Sequence, residues 1–307
     1  MKTFLFKLIF FSMAFILLER FCHHQTRGFR ISKIHSNLPH NPKWSLPPLS
    51  SNEMEEVKKA LNQPYRFLDS GGQCYAFVSK DQQYVLKFFK HHHMRPSSLL
   101  DHLPTLKVLT PFLEKQKKKR TMRLEEMFTS FTIAFERLRD QTALLYLHLN
   151  KSEDLNTTLK LYDAIGIRHR IDLDNIEFAL QRKASMAYPT LTTLATSGEI
   201  EAAKVRIASL LDLMITRCKQ GIADHDPRKR NFGFIKEQAV EIDLGSFTLD
   251  DSLMTESTGK RTFFFETVKL RRWVKKYHPE LFDFLEEEIN WRLTENFEKG
   301  KVEKILN

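Results

Sequence analysis

The sequence predicts an α+β protein in two lobes: a mostly antiparallel sheet interrupted by one long helix, followed by a mainly helical half. Three observations predict it. Residues 65–90, YRFLDSGGQCYAFVSKDQQYVLKFFK, hold aromatic and β-branched runs separated by Gly-Gly and by the polar SKDQQ, the pattern of three strands and two turns. Residues 111–139 place Leu124, Met127, Phe128, Phe131, Phe135 and Leu138 at helical spacing in one apolar stripe. After residue 186 the pattern is mainly helical to the end.

Composition narrows the function classes. The 307 residues allow one large domain or two modest ones, and 42% apolar content is enough for a core. Lysine and arginine number 48 against 38 acids, a net charge of +10 that favours polyanions: nucleotide phosphates, nucleic acid or an anionic membrane. No nucleic-acid-binding motif is present, so no specific nucleic acid is expected. Cys22, Cys74 and Cys218 are dispersed, with no C-x-x-C pair, which argues against a disulfide framework or a zinc site.

The N-terminus, MKTFLFKLIFFSMAFILLERFCHH, has Lys2 and Lys7 and then eleven uncharged residues from Leu8 to Leu18. A spanning helix needs about 20. Extending back to Phe4 includes Lys7, which would have to snorkel. No small-x-small cleavage site follows, since Glu19, Arg20 and Phe21 come next. Residues 1–23 are therefore expected as an uncleaved single-pass anchor, with membrane association through residues 4–18. A cleaved signal that exports the protein and a buried amphipathic helix are the alternatives. Cations flank both sides (Lys2 and Lys7; Arg20, Arg27, Arg30 and Lys33), so orientation is not set.

Residues 24–52 carry Pro39, Pro42, Pro47 and Pro48 and read as a tether. A short helix follows, with Ser50 and Glu53 spaced as a capping box. An N-terminal lobe is expected over 53–185, with TALLYLHL, TTLKLYDAIG and IEFALQRKA as further strands, and a C-terminal helical lobe over 186–307. In that lobe the helix EIEAAKVRIASLLDLMITRCKQG ends at Gly221. The lysine-rich EKQKKKRTMR is most simply a solvated helix face.

The chemistry concentrates in GIADHDPRKRNFGF, residues 221–234. Asp226 and Asn231 lie five apart, and Asp243 follows twelve residues later, at the end of the apolar AVEI. An acid and an amide on one turn, opposite an acid on a hairpin, suit magnesium. That ion takes hard oxygens from one or two carboxylates and completes its shell with phosphates and water. Phosphoryl transfer needs such a metal, a carboxylate that positions the nucleophile and a cation on the nucleotide phosphates.

ADHDPRKRNFGF together with AVEIDLGSF resembles the catalytic and metal-binding loops of the protein-kinase-like superfamily, which includes lipopolysaccharide and aminoglycoside kinases. Its pattern is H-x-D-x-x-x-x-N followed by D-x-G. The resemblance implies a two-lobed protein-kinase-like fold with Asp226 as catalytic aspartate and Asn231 and Asp243 as metal ligands. LDSGGQCYAFV resembles a degenerate glycine-rich loop, placing Gly71 and Gly72 over the nucleotide phosphates, and VLKFF resembles the strand that carries the phosphate lysine, here Lys87. The family also implies a glutamate partner on the long helix. Taking Leu124 as zero, Glu125 lies about 100° round on the stripe's flank, whereas Glu126, at about 200°, faces solvent; Glu125 is chosen. Lys90 lies at the strand's end beside His91, His92 and His93, which read as an exposed polar turn.

This chain departs from the pattern in three ways. Asp224 stands where the loop's first histidine would be, Cys74 replaces a glycine, and no A-P-E segment follows Gly245. The last favours a compact, atypical or small-molecule kinase. Arg228, Lys229 and Arg230 are placed to neutralise charge on the moving phosphoryl group. Arg228 is grouped with Asp226 in the catalytic set, while which cation points inward stays open. The resemblance thus implies an ATP- and Mg²⁺-dependent transferase whose partners are a nucleotide and a hydroxyl acceptor on protein, sugar or lipid. A catalytically inactive, membrane-tethered binding module is the alternative.

Overall fold

In the computed structural model, which describes residues 2–94 and 110–298, the chain forms two units. One comprises residues 1–124 and 145–181, the other residues 125–144 and 182–307. The first opens with α1 (Lys2–Gln25), exposed from Phe4 to its end, including Phe4, Phe11 and Phe15. Among the described residues no helix is long and apolar enough to cross a membrane.

The segment after α1 departs from the expected tether. Gly28 closes the helix in the left-handed region at φ 74°, where its carbonyl accepts from the Lys33 ammonium (2.6 Å) and the Tyr75 hydroxyl (2.7 Å). Phe29 then turns inward, edge-on to Tyr75 and Phe77 with both ring centroids 5.2 Å away. α2 (Ile31–Ile34) buries Ile34, and a 3₁₀ turn over Pro42–Trp44 buries Trp44. Apolar side chains spaced through a proline-containing segment have made it part of the core. α3 (Ser51–Leu61) begins with the expected capping box, Ser50 and Glu53 each satisfying the other's backbone N–H.

β1 (Tyr65–Ser70), β2 (Cys74–Ser79) and β3 (Tyr84–Phe89) match the expected strands. β3 is buried at every position, so YVLKFF reads as a continuous apolar run broken only by Lys87. α4 (Thr110–Arg137) is the long helix; its stripe from Leu124 to Phe135, and Leu138 just beyond it, are buried as expected. After α5 (Arg139–Thr142) come β4 (Leu144–His148), β5 (Thr158–Tyr162), β6 (Arg168–Asp172) and β7 (Phe178–Arg182). They complete a seven-stranded sheet of order β4-β7-β3-β2-β1-β5-β6. The pairs β1–β2, β2–β3 and β5–β6 are antiparallel; β1–β5 is parallel, with Tyr65 opposite Leu161. β6 was not expected, because the charged RHRID masks its buried Ile171.

The second unit is helical around two small sheets. β8 (Ser185–Met186) leads into α6 (Ala187–Thr196) and α7 (Ile200–Lys219). Gly221 ends α7 as expected, at φ 64° and with its N–H on the Cys218 carbonyl. β9 (Ile222–Asp224), β10 (Phe232–Ile235), β11 (Gln238–Glu241) and β12 (Phe247–Leu249) form sheets of order β11-β10-β8 and β12-β9. α8 (Glu256–Tyr277) and α9 (Phe282–Glu298) close the unit over Leu210, Leu211, Phe263, Leu270 and Leu285. The molecule is thus α+β, a seven-stranded sheet in one unit and a mainly helical second unit.

Replacing Phe29 by Ala should lower unfolding stability by about 3 kcal/mol, as for other buried aromatic deletions. Urea denaturation of the full chain checks this; a loose tether at residue 29 would give no change.

Candidate active site

The loop over residues 221–234 is shaped by local hydrogen bonds that its own residue types dictate. β9 pairs antiparallel with β12, so that Asp224 lies opposite Phe247 and the loop leaves β9 beside the segment following Asp243. Asp224 Oδ1 accepts the backbone N–H of Asp226 (2.9 Å) and the Ser246 hydroxyl (2.6 Å). A carboxylate that takes two such donors fixes the turn carrying Asp226 to the segment after Asp243. This is what the unexpected acid at position 224 does.

Asn231 is buried and binds in both directions. Its side-chain N–H₂ donates to the Asp226 carbonyl (2.7 Å), and its own carbonyl accepts the N–H of Ile242 (2.6 Å), the residue before Asp243. Loop and hairpin are therefore tied at two points. Ser130 on α4 fixes the segment after Asp243 from the other side, donating to the Leu244 carbonyl (2.5 Å) while accepting the Phe247 N–H (2.6 Å). Nothing in the apolar stripe around Ser130 marked it except its being a small polar residue on a buried face.

The structure thus groups Asp226, Arg228 and Asn231 in one loop with Asp243 directly beyond it. Asn231 has spent its amide nitrogen, and its amide oxygen takes no donor among the described residues; Asp243 is exposed. One amide oxygen and one carboxylate fit magnesium, which binds few protein ligands and takes the rest from phosphate and water. No cluster of three or more His, Cys, Asp or Glu able to hold a metal occurs among the described residues.

The three cations separate. Arg228 Nε donates to Asp226 Oδ1 at 2.5 Å, with both side chains solvent-accessible. Lys229 lies over the Tyr188 ring, 5.1 Å from its centroid, and 6.0 Å from that of Trp273. Arg230 is exposed.

Beneath the loop lies a cluster that the motif does not contain. Arg217 is fully buried, and its guanidinium donates to Glu241 and Glu266 at 2.5 Å each, with Asp224 Oδ2 at 3.7 Å. Burial, and after it the charge of Asp224, pushes the Glu241 carboxyl up to about 8. Glu241 Oε2 and Asp224 Oδ2 meet no other hydrogen-bond donor, and the proton kept on Glu241 satisfies both.

In the first unit, Gly71 and Gly72 form the β1–β2 turn, with the Gly71 N–H on the Cys74 carbonyl (3.0 Å) and open space around Gly72. Lys87 is a buried β3 residue opposite Ala76. Glu125 is an exposed residue of the second unit. Lys90, set aside in favour of Lys87, holds the glycine turn: its ammonium donates to Ser70 Oγ (2.8 Å) and to the Gly71 carbonyl, over the Tyr75 ring. Of the neighbouring histidines, His93 is exposed as expected, but His91 and His92 are not. His91 is buried with Nε2 3.0 Å from Glu177, whose other oxygen accepts from Ser36 at 2.5 Å. His92 is half-buried and pushed down to about 4 by burial and by His93. The core around Phe29 and Ile34 brings Ser36 in from the segment read as a tether.

No protein-family profile and no characterised protein sequence matches this chain. Solved structures that resemble it include WbdD at high resolution (16% identity, TM-score 0.38, 75% of this chain and 47% of that one). A medium-resolution structure of the bifunctional kinase-methyltransferase WbdD gives 15% identity and TM-score 0.32, over 71% and 43% of the two chains. Rv3197 from Mycobacterium tuberculosis, in complex with erythromycin, gives 11% identity and TM-score 0.29, over 73% and 61%. The chain spans about half the length of the WbdD chains it matches.

A glutamate whose proton is held more tightly in the folded state adds stability that is present in full below its ordinary value of 4.5 and lost as pH rises through about 8. The melting temperature should therefore fall between pH 6 and pH 9, and Glu241→Gln should flatten that slope while leaving the pH 6 value close to wild type. Equal slopes in the two proteins would show that Glu241 ionises normally.

Proposed function

We propose that this protein is an ATP- and Mg²⁺-dependent phosphotransferase that moves the γ-phosphoryl group to a hydroxyl acceptor. The observation that carries the reading is the double tie of the Asp226 loop to the Asp243 segment, through Asp224–Ser246 and Asn231–Ile242. Two ties at these positions keep a positioning carboxylate and a two-ligand metal site in fixed relation, which phosphoryl transfer requires.

Each residue has a stated task. Gly71, Gly72 and Lys87 hold the nucleotide phosphates, with Glu125 assigned as the partner of Lys87. Asn231 and Asp243 hold magnesium, which when bound neutralises charge on the phosphates. Asp226 accepts a hydrogen bond from the acceptor hydroxyl and takes its proton as the oxygen bonds to the γ-phosphorus. The bond from that phosphorus to the bridging oxygen breaks, and ADP leaves with the electron pair. Arg228 leaves Asp226 to face the transferring phosphoryl oxygens. The all-exposed apolar surface of α1 supports membrane association through residues 4–18.

One observation favours the inactive, membrane-tethered binding module instead. Arg228 occupies the Asp226 carboxylate that a catalytic aspartate must offer to its acceptor.

Full-length protein should be stabilised by MgATP in a thermal-shift assay and should hydrolyse ATP slowly without an acceptor. Lys87→Ala and Asp243→Ala should lose turnover by about a hundredfold or more, the range for removing one electrostatic contact to the transition state. No stabilisation of the parent protein would sink nucleotide binding; stabilisation without turnover would support the binding module. Residues 24–50 must be kept, because Phe29, Ile34 and Trp44 belong to the core.

A further inference from the structure

α8 carries an exposed stripe that the phosphotransfer reading does not use. At 100° per residue, Arg261, Phe265, Lys269, Arg272 and Lys276 fall within an arc of about 80° and span about 22 Å of helix. All five are exposed. No acid shares the arc: the helix's two glutamates lie elsewhere, Glu256 paired with Lys260 and Glu266 with the buried Arg217. The four cations have no carboxylate partner within the described residues; three of them meet rings or a carbonyl instead. Arg261 lies over the Phe265 ring at 5.6 Å, and Lys276 over Tyr277 at 4.9 Å.

We infer that this stripe is a docking surface for anionic lipid headgroups, and that it sets the acceptor class. Charge complementarity calls for an anionic partner. The aromatic component selects a bilayer over a soluble polyanion, since Phe265 stands 60% exposed and Phe264 39% beside it. A ring at that position costs solubility unless it enters an apolar layer, while the flanking cations meet phosphates above it. The same chain also carries α1, whose apolar side chains are exposed on every face.

The stripe runs past the catalytic loop. The Lys269 ammonium donates to the Pro227 carbonyl at 3.1 Å, one residue from Asp226. A helix seated among headgroups would therefore hold Asp226 at the level of headgroup hydroxyls. The acceptor is then a hydroxyl in the headgroup layer of an anionic membrane. The acceptor assignment, though not the docking surface, rests on the phosphotransferase reading.

The test measures binding of the full-length protein to phosphatidylcholine vesicles, with and without phosphatidylserine. Arg261→Glu/Arg272→Glu/Lys276→Glu alters none of the residues assigned to catalysis. Each cation contributes about fivefold to binding an anionic surface, so the triple variant should lose about a hundredfold of the phosphatidylserine-dependent gain. Its binding to phosphatidylcholine alone, carried by α1, should stay the same. Phe265→Ser keeps every charge and should weaken binding to the mixed vesicles without changing the melting temperature. An equal phosphatidylserine gain in wild type and triple variant would overturn the inference. So would wild-type binding to soluble polyglutamate with no gain from phosphatidylserine, which would make the stripe a site for an acidic protein. These readouts involve no catalysis, so their failure is distinguishable from failure of the phosphotransferase reading.

Discussion

The second unit depends on one buried guanidinium. Arg217 joins the end of α7 to Glu241 at the end of β11, to Glu266 on α8 and to Asp224 at the end of β9. Removing a charge from water costs several kcal/mol unless good hydrogen bonds replace the lost hydration, so a group with three carboxylates around it fixes the elements that bear them. Asp224 turns one oxygen toward this cluster and the other toward the loop. The electrostatics of the core are thereby connected to the position of Asp226.

That arrangement accounts for the departure that most separated this sequence from the kinase-like pattern. A histidine at position 224 would offer the loop one ring nitrogen as acceptor at most. The carboxylate offers two oxygens, accepts both the Asp226 N–H and the Ser246 hydroxyl, and still faces Arg217. Arg217, Asp224 and Glu241 work as a set, and removing the guanidinium would strand the acids buried around it.

Much of this was legible in the sequence, and the rest was legible in kind. Helical spacing located α4 and α7, Gly221 marked an end, and Ser50 with Glu53 marked a beginning, because each signal is local. The apolar runs FGFI and AVEI marked the hairpin before Asp243, which the chain forms as β10 and β11. The buried cluster was not marked, although each member is a charge inside an apolar run: Arg217 in DLMITRC, Glu241 in AVEI, Glu266 in FFFETV. One such residue reads as an exposed edge; three reading alike could have been matched by charge. Residues 24–52 misled because proline content signals an irregular backbone, not an exposed one. Phe29, Ile34 and Trp44 decide the packing there, and only tertiary contact shows it.

Phosphoryl transfer by this protein requires that the tied loop and hairpin form a metal–nucleotide site. Crystals of the protein grown with manganese in place of magnesium, together with ATP, test it through the metal's anomalous scattering. One peak is expected within bonding distance of the Asn231 amide oxygen and the Asp243 carboxylate. No peak there, with nucleotide absent or bound elsewhere, would contradict it.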